Sequence, residues 1–324
     1  MSFSSKVKDN LCHVDESSDC CRKAEFFAFF MINGSIRICG QHQLSVFMQT
    51  EHPASVRRIF SLAREFSLER EISVHRRTRL YKNRVFTLII PPQEALSQLL
   101  HQLNLIDENG SWQMVFPRKA LDDMLVSQCC RRAYLRGAFL ASGSLSQPET
   151  AYHLEFGSLE KDQAALLIDI LEGFGLHGKS VRRKDAEIVY LKGADEISQL
   201  LVLMGSHQSL LEFESVRVNK EVRNQVNRQR NCDTANVNKV VSAGVRQVEM
   251  INYIVENIGW QVLPDNLRIA AELRQEYPNL SLTELSEISA IGRSALNHRL
   301  RRLKQIAENI RDYGAKDWNH REIK

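Results

Sequence analysis

The sequence lacks a long hydrophobic run and an excess of charge of one sign. Its longest apolar stretch, residues 26–32, is far shorter than the roughly 20 residues that a membrane-spanning helix needs. The N-terminal residues contain no apolar segment with a small-residue cleavage site, so we expect no export. With 43 Lys and Arg against 39 Asp and Glu, the formal net charge of +4 is too small for a bulk polycation. These absences predict a cytoplasmic protein without membrane contact.

The cysteines also lack the spacing of any common disulfide or zinc motif. The seven cysteines include two adjacent pairs, Cys20-Cys21 and Cys129-Cys130, and contain no C-x-x-C. Disulfide frameworks use even numbers of cysteines, and structural zinc sites use short paired spacings. The sequence therefore predicts reduced, mostly buried thiols, with no metal and no cofactor.

One block of sequence occurs twice. Residues 20–35 (CCRKAEFFAFFMINGS) and 129–144 (CCRRAYLRGAFLASGS) share the cysteine pair, two basic residues and a terminal Gly-Ser, at an offset of 129 minus 20, or 109. Each block has the pattern of an apolar helix that ends at a glycine, Gly34 or Gly143, where we expect a positive φ.

The segments after both blocks follow the same order of helix and strand patterns. Each copy reads helix, strand, strand, helix, strand, strand, helix. We therefore predict an α+β fold with a duplicated (αββαββα)x2 domain, its copies related by a pseudo-twofold axis, followed by an all-α domain. The predicted divisions are residues 1–19 (N-terminal extension), 20–212 (duplicated domain, repeats about 20–106 and 129–212), 213–246 (basic connector) and 247–324 (DNA-binding domain).

The C-terminal domain carries a helix-turn-helix pattern at about residues 281–303. Ser281 and Glu284 fit an S-x-x-E capping box at the start of a helix. The turn falls at Ala290, where glycine is commoner because this position often needs a positive φ. Helices are also predicted at 248–258 and 264–277, before the motif.

The second helix of this motif combines an apolar stripe with a basic outer face. Leu296, Leu300 and Leu303 recur at helical spacing and continue into Ala307 and Ile310, which predicts one buried face. Arg pairs well with guanine and Asn with adenine in the major groove, so the outer face favours DNA binding over a merely solvated surface. The candidate DNA-binding residues are Thr283, Arg293, Ser294, Asn297, His298, Arg299, Arg301, Arg302 and Lys304.

Residues 135–143 (LRGAFLASG) resemble the LAGLIDADG helix of homing endonucleases, and residues 26–34 are a weaker match. In that family two such helices pack through small residues, and the acid before the last glycine binds the catalytic divalent cation. The equivalent positions here are Asn33 and Ser142. Because metal-dependent phosphodiester cleavage needs anionic oxygen ligands, the sequence predicts no nuclease activity.

Basic residues also cluster outside the helix-turn-helix. The endonuclease sheets form a saddle on DNA, so the resemblance implies a possible secondary DNA contact by the repeats. Solubilising charges on sheet edges and hairpins explain the same residues equally well, and both interpretations stay open. The candidates are Arg76, Arg77, Arg79, Arg182 and Arg183 in the repeats and Arg228 and Arg230 in the connector.

The combined motifs resemble the WhiA family of Gram-positive bacteria. The resemblance rests on SFSSKVKDNL at the start, the two CCR-containing blocks, NRQRNCDTANVNK in the connector and SALNHRLRRL near the end. It implies a transcription regulator, of sporulation in some relatives, or a nucleoid-associated factor in cell division and chromosome segregation. Its partners would be double-stranded DNA and, as further candidates, other regulators or division proteins. The alternatives are an active LAGLIDADG-type endonuclease and a protein-interaction scaffold.

Overall fold

The computed structural model of the protein describes residues 2–15, 18–40, 43–76, 84–107 and 116–314. The chain forms two compact units, Met1–Lys220 and Glu221–Lys324. Within the described residues, no helix combines the length and apolar character needed to cross a membrane.

The first unit contains the two predicted repeats. The first repeat comprises α2 (Asp19–Asn33), β1 (Gly34–Ile38), β2 (Leu44–Thr50), α3 (Pro53–Leu62), β3 (Glu71–Arg76), β4 (Arg84–Ile90) and α4 (Glu94–Gln102). The second comprises α6 (Gln128–Ser142), β5 (Gly143–Leu145), β6 (Leu154–Leu159), α7 (Lys161–Glu172), β7 (Lys179–Arg183), β8 (Ala186–Leu191) and α8 (Ala194–Met204). The predicted order of elements is confirmed in both copies.

The two antiparallel sheets have equivalent topologies. Their strand orders are β1-β2-β4-β3 and β5-β6-β8-β7. In each sheet the first strand follows directly from the long apolar helix, and the third strand of the repeat lies at an edge. This correspondence confirms the duplicated α+β domain.

Helices α2 and α6 pack closely, and small residues permit the approach. An added Cβ on Gly137 of α6 would lie 2.1 Å from the carbonyl oxygen of Glu25 in α2 and 2.9 Å from the Cβ of Ala28. Glu25 is fully buried; its carboxylate accepts hydrogen bonds from Arg136 Nε at 2.8 Å and from Arg58 Nε at 2.9 Å. A buried ion pair therefore joins the repeats beside the closest backbone contact.

The glycines that follow these helices have a different role from the predicted one. Gly34 and Gly143 have φ of −78° and −66°, so the expected positive φ is wrong. A Cβ at Gly34 would meet the carbonyl oxygen of Phe30 at 2.3 Å, and one at Gly143 would meet the ring of Phe139 at 2.3 Å. Each glycine lets the chain turn from helix into strand against the aromatic residue one turn earlier.

Two helices outside the repeat pattern complete this unit. Helix α1 (Phe3–Cys12) precedes the first repeat, and α5 (Arg118–Met124) precedes the second. Phe3, Val7 and Leu11 of α1 are buried in the core of the repeats. The segment that the sequence assigned to an N-terminal extension thus contributes directly to the folded domain.

The second unit is helical. Helix α9 (His207–Ile258) contributes to both units and is followed by a 3-10 turn (Trp260–Val262), α10 (Asp265–Glu276), α11 (Leu282–Ser289) and α12 (Arg293–Tyr313). The helix predicted to begin at residue 248 instead begins at His207, because the polar connector is helical throughout. Residues 221–239 are exposed all around this helix, whereas Ile251 and Ile254 enter the core of the second unit.

The cysteines correct one expectation and show a proximity that the sequence analysis did not predict. Only Cys21 and Cys130 are buried, so the prediction of mostly buried thiols is wrong. The adjacent pairs, whose spacing matched no zinc motif, lie together at the N-terminal ends of α2 and α6. Packing between the repeats, rather than spacing within one, creates this cluster.

Candidate nucleic-acid interface

The first helix of the helix-turn-helix begins at the predicted capping box. Ser281 N donates to Glu284 Oε2 at 2.7 Å, and Glu284 N donates to Ser281 Oγ at 3.3 Å. Hydrogen bonds to the Glu284 carboxyl from the Ser281 backbone N–H and from the Ser281 hydroxyl lower the pKa of that carboxyl. The turn that ends α11 places Ala290 in the left-handed region, with φ 57° and ψ 13°. The expected backbone geometry is therefore present without glycine.

The packing around α11 and α12 orients the motif. Leu285 of α11 and Leu296 of α12 form a small core with Ala270 of α10. Leu300, Leu303, Ala307 and Ile310 lie in the main core of the second unit. The predicted apolar stripe of α12 is thus buried, which leaves its opposite face toward solvent.

A buried arginine, which the sequence analysis missed, fixes the loop before α11. Arg274 Nη1 donates to the carbonyl oxygens of Leu280 at 2.7 Å and Tyr277 at 3.3 Å. Burial lowers the pKa of this guanidinium. Gly244 of α9 approaches the same loop, because an added Cβ would lie 1.9 Å from Pro278 O. A helical arginine therefore positions the loop that leads into the helix-turn-helix.

The candidate DNA-binding residues occupy the outer surface of the motif. One face of α12 carries Ser294, Asn297 and Arg301, because residues three and four apart share a helix face. His298 directly follows Asn297 in the sequence. The exposed candidates are Thr283, Arg293, Ser294, His298, Arg301 and Lys304; Asn297, Arg299 and Arg302 are half-buried. The structure thus brings the predicted base-contacting residues together on one face of α12.

The cations of this face differ in their local interactions. Arg302 Nη1 donates to Gln305 at 3.2 Å, and Lys304 lies 3.5 Å from the carboxylate of Glu308. In the part of the chain that the structure describes, no ion pair within 4.0 Å engages Arg293 or Arg301. These two guanidinium groups are exposed and available to an anionic partner.

Of the two positions that resemble endonuclease metal ligands, Asn33 makes a hydrogen-bonded contact between the repeats. Asn33 Nδ2 donates to Ala141 O at 3.0 Å and to Gln49 O at 3.1 Å. Ser142 Oγ is buried without a hydrogen-bond partner. Among the described residues that line the neighbouring surface groove, Glu51 is the one acid. Neutral side chains thus stand at both positions that resemble the endonuclease metal ligands.

The additional basic candidates lie on separate elements. Arg76 ends the edge strand β3, Arg182 and Arg183 are exposed on the edge strand β7, and Arg228 and Arg230 are exposed on α9. Arg77 and Arg79 lie outside the described residues. A role of these residues in DNA contact stays a prediction.

Three family models match consecutive parts of the chain. The WhiA N-terminal LAGLIDADG-like domain matches residues 19–106, the WhiA LAGLIDADG-like domain matches 131–223, and the WhiA C-terminal HTH domain matches 226–307. The matches agree with the two repeats and the helical unit. They also extend the C-terminal family domain into the exposed part of α9.

Full-length relatives show the same similarity. A protein from Heliobacterium modesticaldum named probable cell division protein WhiA is 42% identical over 95% of this chain and 96% of its own length. Its Bacillus subtilis namesake is 43% identical over 96% of this chain and 98% of its own length. A crystal structure of full-length WhiA from Thermatoga maritima, at 24% identity and a TM-score of 0.59, covers 95% of this chain and 99% of that chain and supports the fold.

Proposed function

Because the chain belongs to the WhiA family, we propose that it is a non-enzymatic, DNA-binding regulator whose α12 reads the major groove. The observation that carries this proposal is the outer face of α12, where Ser294, Asn297 and Arg301 align above a buried stripe. Arg donates bidentately to guanine, and Asn can donate to and accept from adenine. The polar outer face therefore supplies groups that discriminate between base pairs.

Phosphate contacts fix the register of such a helix on DNA. Arg293 lies at the N-terminal end of α12, where the helix dipole also favours an anion. Arg299 and Lys304 add cations around the outer face. These groups would contribute salt-dependent affinity, whereas Asn297 and Arg301 would contribute sequence selectivity.

The degenerate repeats support a role other than cleavage. The Asn33 amide nitrogen donates to two carbonyl oxygens. This position therefore supplies no carboxylate oxygen that could hold a hard divalent cation. Purified full-length protein should leave duplex DNA intact in Mg²⁺. Stoichiometric, sequence-specific cleavage that is lost in Asn33 and Ser142 variants would refute the non-enzymatic assignment.

The cellular process follows from the relatives. Proteins more than 40% identical are named probable cell division proteins, so we place this regulator in cell division and its chromosomal DNA partner in the nucleoid. Transcription control and chromosome segregation are two routes to that process. Mapping bound chromosomal DNA distinguishes them: regulation predicts a few promoter peaks, and a nucleoid role predicts broad coverage.

The recognition helix can be tested with single substitutions in the full chain. DNA fragments retained by the native protein serve as probes for Arg293→Ala, Asn297→Ala and Arg301→Ala. Loss of a base contact by Asn297 or Arg301 should cost about 1–3 kcal/mol and relax sequence selectivity. Loss of a phosphate contact by Arg293 should weaken binding across sequences and reduce the salt slope by about one.

Arg268→Ala is a charge-matched control, since Arg268 lies on α10 and pairs with Asp265 at 2.6 Å. It should retain sequence selectivity. Unchanged affinity, selectivity and salt slope in all three α12 variants would remove this helix from the proposed interface.

A secondary DNA contact by the repeats has its own test. Combined Arg182→Ala and Arg183→Ala substitutions on β7 should reduce the salt slope if the sheet touches phosphates. An unchanged slope would identify these arginines as edge charges that oppose strand pairing. The two results separate the interpretations left open by the sequence.

A further inference from the structure

Four cysteines meet where the two repeats join. We define the four-cysteine cluster as Cys20, Cys21, Cys129 and Cys130, whose sulfur atoms all lie within 4.8 Å of one another. Cys21 and Cys130 are buried, whereas Cys20 and Cys129 are exposed. No function assigned above uses these thiols.

The duplication explains why the pairs converge. Cys20 and Cys129 are equivalent positions of α2 and α6, and so are Cys21 and Cys130. The cysteines lie together near the helix N-termini, while Asn33 contacts Ala141 at the opposite ends. The helices therefore run parallel, and their packing assembles two residues from each repeat into one cluster.

The cluster matches the requirements of a small, soft metal ion. Tetrahedral zinc-thiolate bonds of about 2.3 Å place neighbouring sulfurs about 3.8 Å apart. The observed limit of 4.8 Å is within a small side-chain adjustment of that spacing. A four-iron cluster would separate its thiolates further because its irons and sulfides lie between them.

We propose that the four-cysteine cluster binds one zinc ion and so links the two repeats. Four thiolate ligands fill the tetrahedral coordination shell, which makes this a structural site without an open position for substrate. Each cysteine pair lies in the first turn of its helix and precedes two basic residues, Arg22-Lys23 or Arg131-Arg132. The positive ends of the helix dipoles favour the negative charge of bound thiolates.

The site would complete a series of contacts along α2 and α6. Zinc would join their N-terminal ends, the Glu25–Arg136 ion pair joins their middle, and Asn33 joins their C-terminal ends. The bound ion would stabilise the folded repeats because the unfolded chain cannot preform all four ligands. The metal therefore has an effect on unfolding that is separable from DNA recognition.

Metal content of the full-length protein tests the site directly. Protein purified in a reducing buffer and supplied with Zn²⁺ should retain about one zinc per chain after exchange into metal-free buffer. Replacement by Co²⁺ should give the intense visible and thiolate charge-transfer absorption of tetrahedral cobalt. Chelation should lower the unfolding temperature, and added Zn²⁺ should restore it.

Cysteine variants assign the signal to residues. The double variant Cys20→Ser, Cys129→Ser changes only exposed members of the cluster, and should lose more affinity for Zn²⁺ than the roughly 10–100-fold typical of an outer-shell change. The control variant Cys39→Ser, Cys232→Ser, which changes exposed cysteines outside the cluster, should retain both metal and stability. Circular dichroism of the zinc-free proteins checks that the double variant remains folded.

Several results would overturn the proposal. Stoichiometric iron in place of zinc would reject the assigned ion, and absence of tight Zn²⁺ binding would reject a metal site. Retention of zinc by a folded double variant would reject the assigned ligands. A disulfide between the repeats in the reducing-buffer preparation, detected by non-reducing peptide mass mapping, would assign these sulfurs to covalent linkage instead.

Discussion

Substitution of Gly137 by Ala probes the close approach of α2 and α6. The added Cβ would lie 2.1 Å from Glu25 O. Because real Cβ contacts essentially never fall below 3.0 Å, the backbones must separate by at least 3.0 minus 2.1, or 0.9 Å. The same movement would disturb the 2.8 Å hydrogen bond from Arg136 to Glu25.

Two opposing effects determine the sign of this mutation. Replacing glycine by alanine in an unconstrained helix would stabilise it by about 1 kcal/mol. Overpacking a rigid core typically costs about 1–3 kcal/mol, and here the first obstruction is backbone rather than a flexible side chain. Because the obstruction is backbone, we take the upper end of the packing cost, about 3 kcal/mol, which leaves a net destabilisation of about 2 kcal/mol, or roughly 4–8 °C in a domain of this size.

Thermal unfolding and hydrogen exchange of the full-length chain provide the assay. Peptides from α2 and α6 should lose protection, while peptides from α10 should change little. Gly157→Ala is a control in the same unit because its added Cβ has no heavy atom within 4 Å. Unchanged or increased stability of the Gly137 variant, with native protection of α2, would refute the packing argument.

Three further substitutions test separate features. Glu25→Ala should destabilise the repeats by about 3–5 kcal/mol because it leaves Arg136 buried without its carboxylate partner. Denaturant unfolding measures this loss, and a loss below about 1 kcal/mol, which is typical of an exposed ion pair, would contradict the buried pairing. Ala290→Gly should stabilise the helix-turn-helix by between zero and about 1 kcal/mol, since relief of the left-handed strain balances or exceeds the entropy that glycine loses on folding. Trp260 fluorescence during unfolding measures this change in stability, and clear destabilisation would contradict the prediction. Ser281→Ala should cost about 1 kcal/mol by removing the helix cap; exchange of α11 amides measures it, and unchanged protection would argue against the cap.

The sequence predicted the features that repeat or have a local period. The duplicated block identified both apolar helices, and the order of patterns identified both sheets. The Ser281 capping box and the Leu296–Leu300 spacing identified the helix-turn-helix because capping and amphipathicity depend on nearby residues. Ala290 departs from the glycine that is commoner at this turn, yet it adopts the positive φ that the turn often needs.

Other features depend on contacts between distant segments. The Cys20–Cys129 proximity follows only once α2 and α6 pack in parallel, although equivalent cysteines near a pseudo-twofold axis were an available signal. The sequence analysis explained Gly34 by a positive φ. It did not show that Phe30 lies so close to Gly34 that no side chain fits there. Residues 213–246 are mostly polar, and the row of Val218, Val222 and Val226 at i, i+4 spacing was the available signal for the continuous helix α9.

The amide of Asn33 makes a different interaction at the end of the repeat interface from the one a carboxylate would make. The Asn33 amide faces Ala141 O and Gln49 O at 3.0 Å and 3.1 Å, so its hydrogens satisfy two carbonyl oxygens directly. A carboxylate in that orientation would oppose the same oxygens and would need a cation between them. The amide therefore allows the helices to remain joined without the charge of a catalytic metal. The contact between the repeats at Asn33 therefore does not depend on a bound metal ion.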